Sequence, residues 1–143
     1  MTINIALTSY PRRITNCVSV IESVLNNTIM PDRVYLTLSH SEFRNYEQDL
    51  PKELQFLVMT SDKVVLNWVE ENTKSMKKVF PILQYLEDDD IIIDIDDDMI
   101  VPKDFISSRM ADFRNYGEMH PISSNVTKTM NIDSLVMSSY SLF

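Results

Sequence analysis

Glycine and cysteine are almost absent from this 143-residue chain, and histidine is scarce. The single glycine, Gly117, excludes the Rossmann fingerprint and the P-loop, because both need several glycines where the backbone approaches phosphate. The single cysteine, Cys17, excludes an internal disulfide framework and a multi-cysteine zinc site. Two histidines, His40 and His120, leave little for a histidine-rich metal centre. Any metal is therefore expected to have oxygen ligands, which suits magnesium, manganese or calcium.

Long apolar runs and an excess of basic residues are also missing. No stretch approaches the roughly 20 apolar residues that span a bilayer, and the N-terminus lacks the features of a signal peptide. We therefore expect one cytoplasmic, globular domain. With 13 basic residues against 21 acidic ones, nucleic acid is a poor candidate partner.

The acidic residues are concentrated in one segment, 87–98 (EDDDIIIDIDDD). It contains eight of the 21 acidic residues and no Lys or Arg, so it accounts for the whole net charge of -8. We interpret 87–90 as a solvated connection and 91–93 as a central parallel strand covered on both faces. The triplet 96–98 lies between two apolar runs, which favours a cation site over a solvated loop. If the strand continues, Asp94, Asp96 and Asp98 share one side of it.

The rest of the chain alternates between strand and helix patterns. The predicted strands are 3–8, 34–39, 64–69 and 91–93, and the predicted helices are about 14–25, 42–49, 73–86 and 102–115. Pro81 should kink the third helix or start its second half, and Pro102 should open the last one. Residues 53–60 fit either state. This order predicts an α/β fold with parallel strands.

Two polar segments follow strands of the predicted sheet. In open α/β sheets, ligands bind beyond the carboxyl ends of parallel strands. The acidic triplet follows one such end, and residues 8–13 (TSYPRR) follow another. The second segment supplies hydroxyls, an aromatic ring and two guanidinium groups, which suit a base and a diphosphate. If these two strand ends are neighbours, the two segments form one site with acidic and basic groups, as a metal-nucleotide complex needs.

Other interpretations of these residues stay open. Lys74, Lys77 and Lys78 on the polar face of a helix can bind phosphate, although a solvated face is the commoner case. A haloacid-dehalogenase-like phosphohydrolase is another alternative, because a hydrophobic strand ending in D-x-D would make Asp94 the nucleophile and Asp96 the acid. That motif usually opens a chain, and here it lies two thirds along.

Five segments taken together carry a family resemblance. They are 7–14 (LTSYPRRI), 31–32 (PD), 50–51 (LP), 75–78 (SMKK) and 93–102 (IDIDDDMIVP). In order and spacing they resemble a bacterial group of family-2-like glycosyltransferases, over residues 3 to 106. The resemblance implies a GT-A-like, Rossmann-type three-layer α/β/α sandwich with a mostly parallel central sheet.

The resemblance also implies an activity and a site. It implies metal-dependent transfer of a sugar, with inversion, from a nucleotide-diphospho-sugar such as a UDP-sugar to a glycan or polysaccharide precursor. The acidic triplet would be the DxD-type motif, with Asp98 as a direct ligand of Mn²⁺ or Mg²⁺ and Asp96 as its second ligand. The implied donor-binding residues are Thr8, Ser9, Tyr10, Arg13, Asn72, Lys77, Lys78, Asp96 and Asp97. Asn72 and Val101 depart from the residue types common in relatives, so the base preference is left open.

Relatives place the general base and the acceptor surface well downstream of the triplet, whereas this sequence continues for 45 residues after Asp98. We therefore expect residues 1–143 to form a single nucleotide-sugar-binding domain that is incomplete, and the general base is not assigned. The alternative is a non-catalytic fragment that binds a nucleotide-sugar or a cation. We expect the full enzyme to be able to associate peripherally with the inner face of the membrane.

Overall fold

A mostly parallel sheet forms the centre of the molecule. The computed structural model describes residues 1–70, 78–117 and 126–128. The strands are β1 (Ile3–Thr8), β2 (Arg33–Ser39), β3 (Val64–Val69), β4 (Ile91–Asp94) and β5 (Val126–Lys128), in the spatial order β3-β2-β1-β4-β5. The first four are parallel, and β5 pairs antiparallel with β4. The predicted parallel strands are confirmed, and β5 lies where no strand was predicted.

Both faces of the sheet are covered. The helices α1 (Cys17–Leu25), α2 (Lys52–Thr60) and α3 (Phe105–Asp112) share one core with Ile5 and Leu7 of β1. On the other face, Ala6 of β1 packs with Ile82 of a 3-10 helix, Phe80–Tyr85. Successive residues of a strand point to opposite faces, so each central strand contributes to both cores. The result is a Rossmann-type three-layer α/β/α arrangement.

The first helix follows its sequence pattern closely. Its buried residues recur at the three- and four-residue spacing of one helix face, and they are Cys17, Val20, Ile21 and Val24. Asn26 ends the helix, and its backbone N–H bonds the carbonyl of Glu22. Residues 53–60, which the sequence left open, belong to α2. Within the described residues, no helix is both long and apolar enough to cross a membrane.

Three predicted helices need correction. Residues 80–85 form a separate 3-10 helix with Pro81 in its first turn, so the proline starts the second half of the predicted helix, as one of the two expectations had it. Proline is tolerated in a first turn and would break a helix interior, but the segment after it is a 3-10 helix rather than an α-helix. The first part of that predicted helix, 73–77, lies outside the described residues. The last helix begins at Phe105, three residues after Pro102, and continues as a π-helical turn, Phe113–Gly117. In the 42–49 stretch only Tyr46–Asp49 is helical, as a 3-10 turn.

The acidic connection before β4 is also different from the prediction. Residues 87–89 are exposed as expected, but Asp90 is only 6% exposed. Its carboxylate accepts hydrogen bonds from the backbone N–H groups of Thr2 and Glu87, both at 2.8 Å. Asp90 therefore ties the start of β1 to the start of β4. Burial acts to raise its pKa, but these hydrogen bonds outweigh burial and hold the pKa below the ordinary value.

The strand order contains one reversal. From β1 the chain moves outward through β2 and β3, then returns to place β4 on the other side of β1. In α/β sheets the crevice at such a reversal, outside the carboxyl ends of the two strands, is the usual ligand site. Here it lies between the ends of β1 and β4.

Candidate functional site

The segments that follow β1 and β4 meet at this crevice. Ala6 of β1 pairs with Asp94 of β4, and the ladder continues as the Ile95 N–H bonds the Ala6 carbonyl at 3.0 Å. Beyond the strands, the buried Ser9 hydroxyl donates to Oδ2 of Asp97 at 2.6 Å. The two polar segments that the sequence singled out are therefore neighbours, a condition that the sequence left open.

Arg13 spans the two segments. Its Nη2 atom lies 2.6 Å from Oδ1 of Asp97 and 2.9 Å from Oδ2 of Asp98. A backbone hydrogen bond from Arg13 N–H to the Tyr10 carbonyl, 2.9 Å long, closes the turn that brings the guanidinium back toward β4. The Cζ atom of Arg13 also lies 5.9 Å from the centre of the Tyr10 ring. One of the two guanidinium groups of residues 8–13 thus contacts two carboxylates and an aromatic ring.

Lys78 reaches the same edge of the sheet from the segment before β4. Its Nζ atom lies 2.9 Å from Oδ1 of Asp96 and 3.7 Å from Oδ2 of Asp94. Burial raises the pKa of Asp94 to about 6, and the Lys78 ammonium acts in the opposite direction. A buried carboxylate paired with a lysine is poorly presented to attack a substrate, which counts against Asp94 as the nucleophile of a phosphohydrolase.

The four carboxylates divide into two pairs, each with one cation. Lys78 joins Asp94 and Asp96, whose side chains are 15% and 70% exposed. Arg13 joins Asp97 and Asp98, whose side chains are 7% and 63% exposed. In each pair one carboxylate is buried and one is open to solvent. With all six groups ionised, four carboxylates and two cations leave the cluster with a charge of -2.

A turn produces this division, and it corrects the expectation of an extended acidic segment. The strand ends at Asp94, and the Met99 N–H closes a turn onto the Asp96 carbonyl at 3.2 Å. The alternation of strand side chains stops there. Asp98 therefore lies beside the same cation as Asp97, which is Arg13. Only Asp94 and Asp96, which both lie beside Lys78, keep the alternation expected of a strand.

Polar side chains near the end of α1 hold the segment that follows the turn. Asn27 is buried, donates to the Pro102 carbonyl at 3.1 Å and accepts from the Ile106 N–H at 2.9 Å. The Ser23 hydroxyl oxygen accepts from the Val101 N–H at 3.1 Å. Nothing in the spacing of the sequence pointed to these contacts across the fold.

The remaining predicted site residues do not all lie at the crevice in the described structure. The Thr8 hydroxyl donates to the Thr37 carbonyl at 2.7 Å, so it is engaged within the sheet. Tyr10 is 40% exposed beside the crevice. Asn72 and Lys77 lie outside the described residues.

The residues at the crevice fit a divalent metal. Asp96 and Asp98 are exposed carboxylates, and in the described part of the chain no three His, Cys, Asp or Glu side chains group as a metal site. Mg²⁺ and related ions are commonly held by one or two carboxylates together with water and substrate phosphates. Asp96 and Asp98 would supply the two carboxylates of such a site, alongside water and substrate phosphates.

Comparisons with known proteins address the fold. No family model matches the chain, and no curated protein matches it significantly. Crystal structures of residues 1-349 of S. aureus TarS do match. The complex with UDP gives a TM-score of 0.52 at 11% identity, covering 81% of this chain and 33% of TarS 1-349. The complex with UDP-GlcNAc gives 0.55 at 13% identity, covering 81% and 32%.

These likenesses define the fold. TarS is a glycosyltransferase with a GT-A-like fold, and the TM-scores show that this chain shares that fold over most of its length. The chain therefore has a GT-A-like α/β fold, which confirms the expected architecture. It spans about a third of the length of the matched structures.

Proposed function

We propose that this chain is the donor-binding part of a glycosyltransferase that uses a nucleotide-diphospho-sugar, with a UDP-sugar as donor. The observation that carries the proposal is the meeting of Arg13 and Lys78 with the acidic turn at the strand-order reversal. Cations and exposed carboxylates in one crevice suit a ligand that brings phosphate and metal together. The GT-A-like fold supports the same conclusion, since TarS structures of this fold contain UDP and UDP-GlcNAc.

The donor diphosphate would lie between the two cations. Arg13 offers a forked set of donors and Lys78 a point charge, and both suit phosphate oxygens. The half-exposed Tyr10 ring would contact the base, and the Ser9 hydroxyl would keep Asp97 in place for the ribose. Of the predicted donor residues, Asn72 and Lys77 stay assigned by resemblance alone.

A divalent ion would be held by Asp98 and Asp96. When bound, Mn²⁺ or Mg²⁺ supplies positive charge that stabilises the leaving nucleoside diphosphate. The chain's own contribution is to orient the diphosphate through Arg13 and Lys78 and to present two exposed carboxylates toward it. The resemblance favours inversion, with a glycan or polysaccharide precursor as acceptor and with peripheral membrane association of the full enzyme.

Calorimetric titration of the 143-residue chain with uridine diphosphate and Mn²⁺ tests the proposal. We expect saturable binding that Arg13→Met weakens at least tenfold, since a charge-assisted contact to phosphate contributes about 1.5 to 3 kcal/mol. The matched control is Arg12→Met, which removes the neighbouring exposed guanidinium and should leave the affinity within about twofold. Equal losses in both variants, or no binding by the unmodified chain, would contradict the proposed donor site.

The alternative is a non-catalytic fragment that binds a nucleotide-sugar at the same site. It differs from an enzyme because it would not cleave the bound nucleotide-sugar. Slow release of uridine diphosphate from UDP-GlcNAc, dependent on Mn²⁺ and abolished by Asp98→Asn, would favour an enzyme. Tight binding without release, with or without an acceptor mixture, would favour the binding fragment.

A further inference from the structure

Asp94 has no role in the proposed contacts with the donor. It is the last residue of β4, and its side chain is only 15% exposed. Its Oδ2 atom lies 3.7 Å from the Nζ atom of Lys78, whose side chain is only 12% exposed. The more exposed partner of Lys78 is Asp96, at 2.9 Å.

The two partners of Lys78 differ in how freely they can leave it. A nearly buried ammonium needs a counter-charge, because burial without one is costly. Asp94 is fixed by the strand and enclosed by protein, so it stays beside Lys78 whatever binds. Asp96 is 70% exposed and lies after the strand, so it can turn toward another cation.

The Arg13 cluster has the same arrangement. Asp97 is buried, accepts from Ser9 and lies 2.6 Å from the guanidinium. Asp98 is 63% exposed and lies 2.9 Å from it. Each cation at the crevice therefore has one largely enclosed carboxylate and one exposed carboxylate. In each pair the less exposed carboxylate is placed to hold its cation, and Asp94, unlike Asp97, has no further role in the proposed donor site.

We propose that Asp94 is a positioning residue that holds the Lys78 ammonium at the mouth of the crevice while Lys78 exchanges Asp96 for a phosphate oxygen of the bound ligand. The inference rests on the proposed function, because it requires a phosphate-bearing ligand at this crevice. It assigns a role to the one carboxylate of the cluster that the donor site does not use.

A purely electrostatic role and a positioning role of Asp94 predict opposite changes in the affinity for an anionic ligand when the Asp94 charge is removed. If Asp94 acted only through its charge, Asp94→Asn would strengthen the binding of an anion, since a nearby negative charge is lost. If Asp94 positions Lys78, the same change weakens binding, and only when Lys78 is present. A double-mutant cycle with Lys78→Met therefore separates the two roles.

The experiment is calorimetric titration with uridine diphosphate in metal-free buffer, using the unmodified chain, Asp94→Asn, Lys78→Met and the double variant. We expect Asp94→Asn to weaken binding about fivefold, as a coupling of about 1 kcal/mol gives, and by less than about twofold in the Lys78→Met background. Asp88→Asn removes an exposed carboxylate from the connection before β4 and should have no effect. If Asp94→Asn does not fold, Asp94→Glu replaces it, because the longer side chain keeps the charge but displaces the ammonium.

Two results would overturn the positioning role while the proposed function survives. One is binding by Asp94→Asn as tight as, or tighter than, that of the unmodified chain. The other is equal weakening with and without Lys78, which indicates general damage to the site. Failure of the unmodified chain to bind uridine diphosphate would instead overturn the proposed function, and the positioning role with it.

Discussion

The guanidinium of Arg13 lies 2.6 Å from the buried carboxylate of Asp97, and this contact joins the loop after β1 to the turn after β4. The Ser9 hydroxyl donates to the same carboxylate. Removing the cation while leaving a buried carboxylate behind is more harmful than removing both charges, because the remaining charge is uncompensated.

This contact predicts a specific pattern of stability. Arg13→Met should lower the midpoint of thermal unfolding, and adding Asp97→Asn should restore part of the loss. Arg12→Met, which removes an exposed neighbour, should change stability by less than about 0.5 kcal/mol. Thermal unfolding followed by circular dichroism measures all three. Additive losses in the double variant would show that Arg13 does not compensate Asp97.

The exposed carboxylates should compete with phosphate for the two cations when metal is absent. Asp96→Asn frees Lys78, so we expect the metal-free affinity for uridine diphosphate to rise about two- to fivefold, the scale of an exposed ion pair. The additional affinity that Mn²⁺ confers should fall at the same time, since a metal ligand is lost. Titrations with and without Mn²⁺ measure both effects. If both affinities fell together, Asp96 would not be an internal competitor.

Asp90 should make stability depend on pH. Its lowered pKa means that, between the two pKa values, the folded protein binds fewer protons than the unfolded chain, so stability falls as the pH falls. We expect Asp90→Asn to cost about 2 kcal/mol at pH 7, through the hydrogen bonds to Thr2 and Glu87, and progressively less below pH 4. Urea unfolding at several pH values tests this, with the exposed Asp88→Asn as control. A cost that does not change with pH would contradict the assignment.

Asn27 should support the acidic turn from a distance. Asn27→Ala leaves the buried Ile106 N–H without its side-chain acceptor, which costs about 1 to 3 kcal/mol. It also loses the contact to Pro102, so hydrogen exchange at Val101 and Ile106 should become faster. The exposed neighbour Asn26 provides the control, since Asn26→Ala should leave exchange at these positions unchanged. Equal exchange rates in both variants would show that Asn27 does not hold this segment in place.

Much of the fold could be predicted from the sequence because its strands have clear patterns. Ile91, Ile92 and Ile93 form an uninterrupted apolar run, and they lie in a strand covered on both faces. The sequence also placed Ser9 and Asp97 after parallel strands, whose carboxyl ends share one edge of the sheet, but the adjacency of these two strands came from the structure.

The details of the site could not be predicted, because they depend on contacts between distant residues. Nothing local shows that the chain turns at Asp96, which decides that Asp98 joins Arg13 rather than Lys78. The carboxylate of Asp90 is held by the backbone N–H of Thr2, which is 88 residues away in the sequence. Sequence patterns show the hydrophobic period of a single helix or strand. These contacts depend instead on how helices, strands and loops are placed relative to one another.

The most direct test of a joint metal-diphosphate site is to measure the thermal stability of the chain with Mn²⁺ and uridine diphosphate, added separately and together. In the proposed site, the two exposed carboxylates would bind the ion and the two cations would bind phosphate, so each ligand would complete the site of the other. We predict that the two together raise the unfolding midpoint by far more than the sum of their separate effects, and that Asp98→Asn removes this excess. Additive shifts, or an undiminished excess in Asp98→Asn, would contradict a joint metal-diphosphate site.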